Sequence, residues 1–508
     1  MEIELKLLVA PEDLAVLPRH PALQALQRTE PRIEQLHTLY YDTGARDLAQ
    51  AGIALRVRRS GTQWIQTLKA GGRSAGGLHE RVELEWPLAD AALDPTRLAD
   101  TPYADLFADE RVRDGLAPVF ETEFERTAIL LGFADGTTAE LALDRGIVRA
   151  GARSESISEI EIELLSGSAQ PLFDLALTLS ENISLRLGYL SKAERGDALA
   201  TGRVGLPRKA SPVVLDPAWT ALQGLRHIIL GCVAHMQANE QGVLDADDAE
   251  YLHQLRVGLR RLRSCIGLFR FVAPKRSYAE LVDELRWLSG ELGPARDWDV
   301  YVEETLPALR KSVPAIDALQ SAVQSLRAQY GERARQAVSS SRYARLLLQL
   351  AQRCNLDDFG LVPEHGKKRI ALDAPLGEFA KKVLRKRHRR LRRHGGALLE
   401  MSAEARHGVR IEAKKLRYAA EFFGSLYAVE KVAAYVDALR DLQDTLGILN
   451  DAAQTERLTE EAARAHAQSA DAQIVAAVCE WETARTEREL KRYDKRWRAF
   501  EKAERFWR

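Results

Sequence analysis

The chain has 508 residues, of which 46% are hydrophobic and 29% are charged. This length suits two to four domains, and the composition is typical of a folded soluble protein rather than a disordered or fibrous one. No apolar run is long enough to cross a bilayer, and the charged N-terminus does not fit a secretory signal, so no membrane partner is expected. The four cysteines are far apart and fit no metal spacing, which favours a reduced, cytoplasmic setting.

The net charge of zero hides two oppositely charged halves. Residues 1–202 contain 21 Lys and Arg against 32 Asp and Glu, a balance of −11, so the remaining residues carry +11. Because an acidic region suits cations and a basic region suits polyanions, we expect the two halves to bind different partners.

The first seven residues alternate charged and apolar side chains, which is the period of a half-buried strand. On such a strand Glu2, Glu4 and Lys6 point to one face and the apolar residues to the other. Carboxylates hold a hard cation well, and an ammonium group can hold an anion that the same cation touches. An ordinary solvated strand face shows this pattern too, so its interpretation depends on the rest of the chain.

The chain up to about residue 202 is mostly β, with polar or glycine-rich turns between short alternating segments. Helices are predicted at 11–17 and 171–181. Further strands are predicted at 35–41, 53–59, 63–69, 81–87, 121–131, 137–149 and 158–165. Antiparallel strands at this spacing indicate a sheet that closes into a barrel or tunnel.

Several of these strands carry charge on one face only. The sets on one face are Arg56 with Arg58, Arg81 with Glu83 and Glu85, and Glu159 with Glu161 and Glu163. A solvent-facing strand would mix Ser, Thr and Gln into such a row, whereas these rows are almost purely Glu, Arg and Lys. We therefore predict a charged interior that ligands and metal compensate, with a solvated outer face as the alternative.

Residues 1–202 resemble the CYTH domain of triphosphate tunnel metalloenzymes. The resemblance rests on short motifs in the order of the family: Glu2-x-Glu4-x-Lys6, Tyr40-Tyr41-Asp42-Thr43, Leu55-Arg56-Val57-Arg58, Thr67-Leu68-Lys69, Gly76-Gly77-Leu78-His79-Glu80-Arg81, Arg126, Asp144, Glu161-x-Glu163 and Ser191-Lys192-Ala193-Glu194-Arg195-Gly196. It implies an eight-stranded antiparallel tunnel whose lumen binds a triphosphate and a divalent metal.

The resemblance also implies roles for individual side chains. It assigns metal binding to Glu2, Glu4, Asp144, Glu161 and Glu163. It assigns phosphate binding to Lys6, Arg56, Arg58, Lys69, Arg126 and Lys192, and Arg81 matches a further substrate-binding position. The candidates for a catalytic role are Lys69, Glu83 and Glu85, although the sequence leaves open which group takes the proton from water. Glu159 is an outlying member of its row.

The chemistry of a triphosphate agrees with these residue types. Its roughly four negative charges need several Lys and Arg, and Mg²⁺ or Mn²⁺ needs carboxylates that leave room for water and phosphate. No Cys or Ser nucleophile with an adjacent base is visible, and the glycine turns lack the Gly-Lys-Ser/Thr ending of a P-loop. Water is therefore the expected nucleophile of an in-line hydrolysis.

Residues 203–217 contain three prolines and a glycine and separate the two charge regimes, which predicts a linker. From 218 to 508 the pattern is helical and repeats internally. The stretch 253–263 returns as 407–417, and the residues Leu292-Gly293 and Asp297 return as Leu446-Gly447 and Asp451, always 154 positions later. We predict two related helical units, at about 218–375 and 376–508.

The repeated helix presents a basic stripe opposite an apolar face. The stripe consists of His253, Arg256, Arg260 and Arg263 in the first copy and of His407, Arg410, Lys414 and Arg417 in the second. With the segment 292–300, these copies resemble the CHAD domain, which implies helical bundles whose basic face binds inorganic polyphosphate. A solvated helix surface is the alternative. Asp297 and Asp299 are expected to hold local structure or to orient basic side chains.

Residues 381–394, between the copies, contain nine Lys or Arg and two His in fourteen positions. Such a run suits nucleic acid or an anionic membrane, and an exposed basic helix is the equal alternative. The run lacks aromatic residues that stack bases, so nucleic acid is not a favoured partner.

The sequence thus predicts an α+β protein of two domains, a β tunnel at 1–202 and all-α tandem bundles at 218–508. The expected activity is metal-dependent hydrolysis of inorganic triphosphate, with polyphosphate bound by the helical domain. The alternatives are a non-catalytic polyphosphate sensor and a tunnel hydrolase of an organic triphosphate, thiamine triphosphate or a nucleotide. The expected location is the cytoplasm, where association with polyphosphate granules is a further option.

Overall fold

The computed structural model describes residues 2–202, 206–268, 278–356, 372–395, 401–468 and 471–508, without the side chains of residues 73–75, 394, 403, 449 and 450. The chain forms two compact units. The first consists of Met1–Leu206 with Ser340–Asp357, and the second of Pro207–Ser339 with Asp358–Arg508. Part of the predicted linker, residues 203–205, lies outside the described residues, and the predicted domain limits stay predictions.

Eight antiparallel strands of the first unit close into a barrel, as predicted. They are β1 (Glu2–Val9), β2 (Arg32–Asp42), β3 (Ile53–Ser60), β4 (Gln63–Ala75), β5 (Leu78–Leu88), β6 (Ala117–Gly132), β7 (Thr138–Ala150) and β8 (Arg153–Ser166). The strands pair in the order β5–β4–β3–β2–β6–β7–β8–β1, and β1 also pairs with β5, which closes the ring. A ninth strand, β9 (Leu185–Leu187), pairs with the last residues of β1.

Strand β1 shows how an alternating sequence forms the wall of the barrel. Leu5 and Leu7 are fully buried on one face, whereas Glu4 and Lys6 on the other face line the interior of the barrel. Most of β1 has a hydrogen-bonded neighbour, β5 for its first residues and β8 for its middle. Closure therefore gives the middle of this strand hydrogen-bonded neighbours on both edges.

The helices of the first unit are mostly one or two turns long. In chain order they are α1 (Pro11–Val16), α2 (Pro21–Leu26), α3 (Asp47–Gln50), α4 (Ala104–Ala108), α5 (Glu110–Asp114), α6 (Gln170–Leu179) and α7 (Lys192–Thr201). α1 and α6 coincide with the two predicted helices. α7 contacts β6, β7 and β8, and a reciprocal cap between Ser191 and Glu194 fixes its N-terminus.

The second unit is helical, as predicted. Its helices are α8 (Ala221–Asp245), α9 (Ala249–Ile266), α10 (Ala279–Val300), α11 (Leu306–Arg310), α12 (Gln320–Ser339), α14 (Leu376–Gly395), α15 (Ala403–Phe423), α16 (Val429–His466) and α17 (Asp471–Lys502), and α13 (Ser341–Asn355) belongs to the first unit. None of the helices within the described ranges has an apolar stretch long enough to cross a bilayer.

One hydrophobic core joins the two copies of the helical repeat. Trp298 and Tyr301, after the first basic stripe, lie in the same buried cluster as Leu458 and Ile474, after the second. Neighbouring helices also pack in pairs, α8 on α9, α10 on α12, α15 on α16 and α16 on α17. Because both copies contribute to this core, they are not independent bundles.

Candidate active site and basic cluster

The barrel encloses a polar cavity of about 260 Å³. The predicted residues in its wall are Glu2, Glu4, Lys6, Arg56, Arg58, Lys69, Arg81, Glu83, Glu85, Arg126, Glu161, Glu163 and Lys192. Asp144 is fully buried and bonds to two of these residues, Arg126 and Lys192. The structure therefore brings the predicted tunnel residues together around one cavity.

Strand register places opposite charges side by side in this cavity. Lys6 on β1 is the register partner of Glu161 on β8, and Lys69 on β4 is the partner of Glu83 on β5. Cross-strand partners project to the same face of a sheet, so each pair points into the lumen.

One part of the wall, here called the paired cluster, consists of Asp144, Glu159, Glu161, Lys6, Arg126, Lys192 and Arg195. Arg126 donates two hydrogen bonds to Asp144, of 2.8 and 2.7 Å. Lys192 Nζ lies 2.6 Å from Asp144 and 2.8 Å from Glu161. Glu161 is also ion-paired with Lys6. These cations are thus already neutralised by carboxylates of the protein.

Glu159 forms ion pairs with several cations of the paired cluster. It is fully buried and lies 3.1 Å from Lys6 Nζ and 3.0 Å from Arg195. Oxygen atoms of Asp144, Glu159 and Glu161 lie within 4.8 Å of one another, a spacing that could hold a metal ion. Each of these carboxylates already accepts from an ammonium or guanidinium group, which competes with a metal.

The pKa values of the paired cluster reflect this mutual compensation. Burial alone would raise the pKa of Glu161, but Lys192, Lys6 and Arg126 hold it well below the usual range. Burial alone would lower the pKa of Lys6, yet the neighbouring carboxylates, Glu159 first, raise it well above the usual range. Both groups are therefore ionised at neutral pH.

A second part of the wall, here called the acidic end, consists of Glu2, Glu4, Glu83 and Glu163 around Lys69. Lys69 Nζ lies 2.8 Å from Glu2 and 3.1 Å from Glu83. Burial, followed by the charges of Glu2, Glu4 and Glu83, raises the pKa of Glu163 to about 7, and Lys69 opposes this shift. Glu4 also lies 3.4 Å from Lys6, and Glu83 lies 3.2 Å from Arg56. Glu163 is thus the carboxylate of the acidic end that forms no ion pair within the described residues, and a bound cation would favour its charged form.

Arg58 is the exception among the lumen cations. It forms no ion pair within the described residues, and its Nε donates to Thr38 Oγ1 at 3.2 Å. Burial, Arg56 and Arg126 lower the pKa of Arg58 to about 10. Arg56, in contrast, lies 3.2 Å from Glu83. A phosphate oxygen beside Arg58 would supply the negative charge that this site lacks.

Sequence reasoning gave no site role to five charged or aromatic residues at the cavity. Tyr40, His79 and Glu140 line its wall, and Glu159 and Arg195 complete the paired cluster. Tyr40 stands in a family motif, and Glu159 continues the one-sided row of its strand. Arg195 follows Lys192 by three positions on α7, a spacing that places both on one helix face and could have identified it.

The two basic stripes of the helical half meet in the second unit. α9 packs on α15, and Arg260 lies close enough to Arg410 and Lys414 to lower the pKa of both. The resulting group, here called the basic cluster, consists of His253, Arg256, Arg260, Arg296, Arg410 and Lys414. Arg296, from α10, is a member that the stripe pattern did not include.

The acids beside the basic cluster reach three of its arginines. Asp297 lies 3.8 Å from Arg256, Asp451 lies 3.7 Å from Arg410, and Glu303 and Glu304 each lie 3.8 Å from Arg296. Arg260 and Lys414 form no ion pair within the described residues. The Nε atoms of Arg260 and Arg410 are buried and find no hydrogen-bond partner among the described residues. Buried donors of this kind are normally satisfied, so they indicate a place for an external anion.

Crowding of like charges shows in the pKa values of the basic cluster. Burial, Arg410 and Arg260 lower the pKa of Lys414 to about 7. Burial also lowers the pKa of Arg256 to about 10, although Asp297 opposes the shift. An anion placed here would favour the charged form of both side chains.

The other stripe residues have local surroundings. Arg263 donates to Ser289 Oγ at 2.9 Å, and His407 is exposed at the start of α15. Arg417, beside Lys414, donates to Gln443 at 2.9 Å and to Glu421 at 2.6 Å. Asp299, whose charge acts on Arg256, accepts a hydrogen bond of 2.8 Å from Arg327.

The basic run 381–394 forms most of α14. Its exposed side chains are Lys382, Arg385, Lys386, Arg389, Arg390, Arg392 and Arg393. Two members are buried instead: Arg387 lies 3.7 Å from Glu412, and His388 Nδ1 lies 2.7 Å from the Tyr435 hydroxyl. The run therefore forms a helix with one exposed basic face and one buried face. The side chain of His394 lies outside the described residues.

Fold and site define a protein in which a charged antiparallel tunnel precedes an all-helical domain with a basic cluster. The CYTH domain family matches residues 1–196, and the CHAD domain family matches residues 227–460. The chain is therefore a CYTH–CHAD protein, the combination that its motifs predict.

Known relatives cover the two domains separately and together. The inorganic triphosphatase of Haemophilus influenzae is 35% identical over 201 residues, which cover 39% of this chain and 55% of that protein. A Mycobacterium tuberculosis protein described as uncharacterised is 28% identical over 475 residues, covering 88% of this chain and 87% of its own. The crystal structure of the CHAD domain from the plant Ricinus communis is 32% identical, covers 59% of this chain and 98% of that domain, and has a TM-score of 0.52.

Proposed function

We propose that this chain hydrolyses inorganic triphosphate to pyrophosphate and phosphate inside the barrel, with Mg²⁺ or Mn²⁺, and that its helical domain binds polyphosphate. The observation that carries the proposal is a cavity whose wall combines Lys and Arg with several carboxylates, of which Glu163 forms no ion pair within the described residues and has a pKa raised to about 7. The similarity of the tunnel to the Haemophilus influenzae protein named inorganic triphosphatase supports this substrate class.

The cations of the lumen would bind the phosphate oxygens. Arg58 lacks an ion pair within the described residues and would gain the most from a phosphate oxygen. Arg126 and Lys192 are held in place by Asp144, so they are oriented before the substrate arrives. Fixed, oriented cations stabilise the charge of a phosphoryl transfer without reorganising during the reaction.

The acidic end has the donor chemistry that Mg²⁺ and Mn²⁺ prefer. We propose that Glu2, Glu4 and Glu163 hold the metal, since Glu163 forms no ion pair within the described residues. A divalent ion there would supply Lewis-acid polarisation of the phosphoryl group. Asp144 and Glu161, which the family resemblance also assigns to metal, would orient Arg126 and Lys192.

Lys69, Glu83 and Glu85 remain the candidates for the chemical step. Lys69 bridges Glu2 and Glu83, so its ammonium lies within the acidic end. Glu85 accepts a hydrogen bond of 3.1 Å from Thr67 Oγ1. We propose that Lys69 stabilises the charge on the terminal phosphoryl group, and that a nearby carboxylate orients the attacking water.

The basic cluster suits a longer polyanion without chemistry. It presents crowded cations from α9, α10 and α15, and two of them, Arg260 and Lys414, form no ion pair within the described residues. We propose that inorganic polyphosphate binds there through several simultaneous charge contacts.

Phosphate release from the purified full-length protein tests the proposed activity. We expect release from tripolyphosphate with Mg²⁺ or Mn²⁺, loss of release in EDTA, and slower release from ATP, thiamine triphosphate and long-chain polyphosphate. Faster turnover of ATP or thiamine triphosphate would instead identify an organic triphosphatase. Polyphosphate binding without release from any substrate would identify a non-catalytic sensor.

A further inference from the structure

Helix α13 belongs to the barrel unit although the sequence places it in the helical half. It follows α12 after a single residue, Ser340, whose side chain accepts from the backbone N–H of Tyr343 and caps the helix. The chain thus enters the first unit at this helix. No strand or tunnel motif in residues 1–202 predicts such an addition.

α13 is built as a core element of that unit. Eight of its fifteen residues are buried: Tyr343, Ala344, Leu346, Leu347, Leu348, Leu350, Ala351 and Cys354. The helix packs on α6 and on β9. Gln352 also donates a hydrogen bond of 2.8 Å to Asp174 on α6. A helix buried to this extent contributes packing that the barrel would otherwise lack.

β9 connects this helix to a lumen lysine. Leu187 of β9 is the register partner of Leu7, next to Lys6 on β1. The following residue, Gly188, donates its backbone N–H to the carbonyl oxygen of Lys6 at 2.9 Å. A Cβ at position 188 would lie 2.5 Å from Lys6 Cγ, so the backbone there packs directly on the lysine stem.

Gly188 touches the cavity wall on its other side as well. Its carbonyl oxygen lies 3.1 Å from His79 Nε2, and His79 lines the cavity. The N-terminal strand of the barrel therefore has three supports near Lys6: the strand pairing with β8, the carbonyl oxygen of Gly77, which accepts from the Lys6 N–H at 2.9 Å, and the short segment 185–188. α13 packs on β9, which belongs to the third of these.

We propose that α13 is a positioning element of the tunnel, which packs on β9 and so keeps Gly188 against Lys6 and the Lys6 ammonium within the paired cluster. The effect on turnover rests on the proposed function, whereas the effect on backbone protection does not. It follows that cutting the chain at 203–217 would remove a part of the tunnel. The helical half of the sequence would then complete the catalytic half as well as bind polyphosphate.

Hydrogen–deuterium exchange of the full-length protein tests this role. Leu347→Ala shortens a buried α13 side chain, and Leu319→Ala makes the same change in the core of the second unit, where Leu319 is also fully buried. We expect Leu347→Ala to speed exchange at residues 3–9 and 185–188 at least tenfold, and Leu319→Ala to leave these amides unchanged. Leu347→Met should restore protection, because it refills most of the volume.

Turnover provides the second readout. For Leu347→Ala we expect KM for tripolyphosphate to rise several-fold with a smaller change in kcat, because Lys6 is a proposed phosphate ligand. Faster exchange confined to residues 341–355, or equal effects of Leu319→Ala on β1, would overturn the proposal. If Leu347→Ala does not fold, Gln352→Ala takes its place and must still speed exchange at 185–188. A wild-type protein without triphosphatase activity would refute the proposed function and leave the exchange result to be judged alone.

Discussion

Cations of the barrel and cations of the basic cluster are held in opposite electrostatic states. In the barrel, burial would lower the pKa of Lys6 and Lys192, yet the carboxylates around them raise it. In the basic cluster, burial and neighbouring cations lower the pKa of Lys414 and Arg410. The same residue types are therefore compensated by close carboxylates in the paired cluster and only partly compensated in the basic cluster.

This difference separates two ways of binding a polyphosphate. A barrel whose described cations, apart from Arg58, are already paired gains little from a bare anion, which would have to compete with Asp144 and Glu161. An anion that binds as a complex with a divalent cation also supplies positive charge to the carboxylates of the acidic end. The basic cluster has no such requirement, because any polyanion relieves its crowded charge. We therefore expect the barrel to act on metal-complexed short chains and the basic cluster to retain long ones.

Removal of one charged side chain of the acidic end tests whether turnover and polyphosphate binding depend on different parts of the protein. We expect Lys69→Ala or Glu4→Ala to lower kcat/KM for tripolyphosphate by about 100-fold or more, since loss of one charge-stabilising group commonly has an effect of that size. Binding of long-chain polyphosphate to the basic cluster should stay unchanged. Phosphate release and a polyphosphate binding isotherm measure the two quantities on the same preparation.

Glu123→Ala is the matched control for these variants. Glu123 lies on the barrel strand β6 but is exposed and bonds to Arg149 at 2.7 Å. It should turn over tripolyphosphate at the wild-type rate. Normal triphosphatase activity of Lys69→Ala, or an equal loss of activity in Glu123→Ala, would contradict a role of the acidic end in the reaction.

The pH dependence of polyphosphate binding tests the electrostatic state of the basic cluster. The pKa of Lys414 is about 7 in the free protein, and a bound polyanion raises it, so binding takes up a proton above pH 7. Affinity should therefore be nearly constant below pH 6 and fall as pH rises above 7, by up to about tenfold per pH unit while only the complex keeps the proton. Binding isotherms at fixed ionic strength between pH 5.5 and pH 9 would show this profile.

Two substitutions of Lys414 identify the source of that profile. Lys414→Arg keeps a positive charge throughout the range, so affinity should stay high and lose most of its pH dependence. Lys414→Ala should bind weakly at every pH, with an equally flat profile. A wild-type slope retained in Lys414→Ala would assign the titration to another group, such as His253.

The outline of both domains was predictable because it depends on local patterns. Period-two alternation marked the barrel strands, and the repeat of His253 as His407 marked the two helical copies. Short motifs also placed the charged side chains of the lumen. The strand patterns and motifs each lie within a short run of neighbouring residues, and the repeat is found by comparing two such runs.

What the sequence did not reveal depends on contacts between distant segments. Nothing near residue 347 indicates that its helix packs on a strand at 185–187. Arg296 joins the basic cluster only because α10 approaches α9, and the pattern of α10 shows no stripe. The division of the lumen into a paired cluster and an acidic end is likewise a matter of distances, since the same residue types line both.

The smallest expected effect separates the basic cluster from the exposed run on α14. Polyphosphate binding to the full-length protein should weaken steeply with salt, because each charge contact releases counterions. Arg260→Ala should lower the slope of log affinity against log salt by about one, the amount for one lost contact. Arg389→Ala removes an equal charge from the exposed face of α14 and should change the slope far less. Equal slopes for the two variants would mean that the polyanion binds to the overall positive charge of the helical unit and not to the basic cluster in particular. The buried Nε atoms of Arg260 and Arg410 would then need another hydrogen-bond partner.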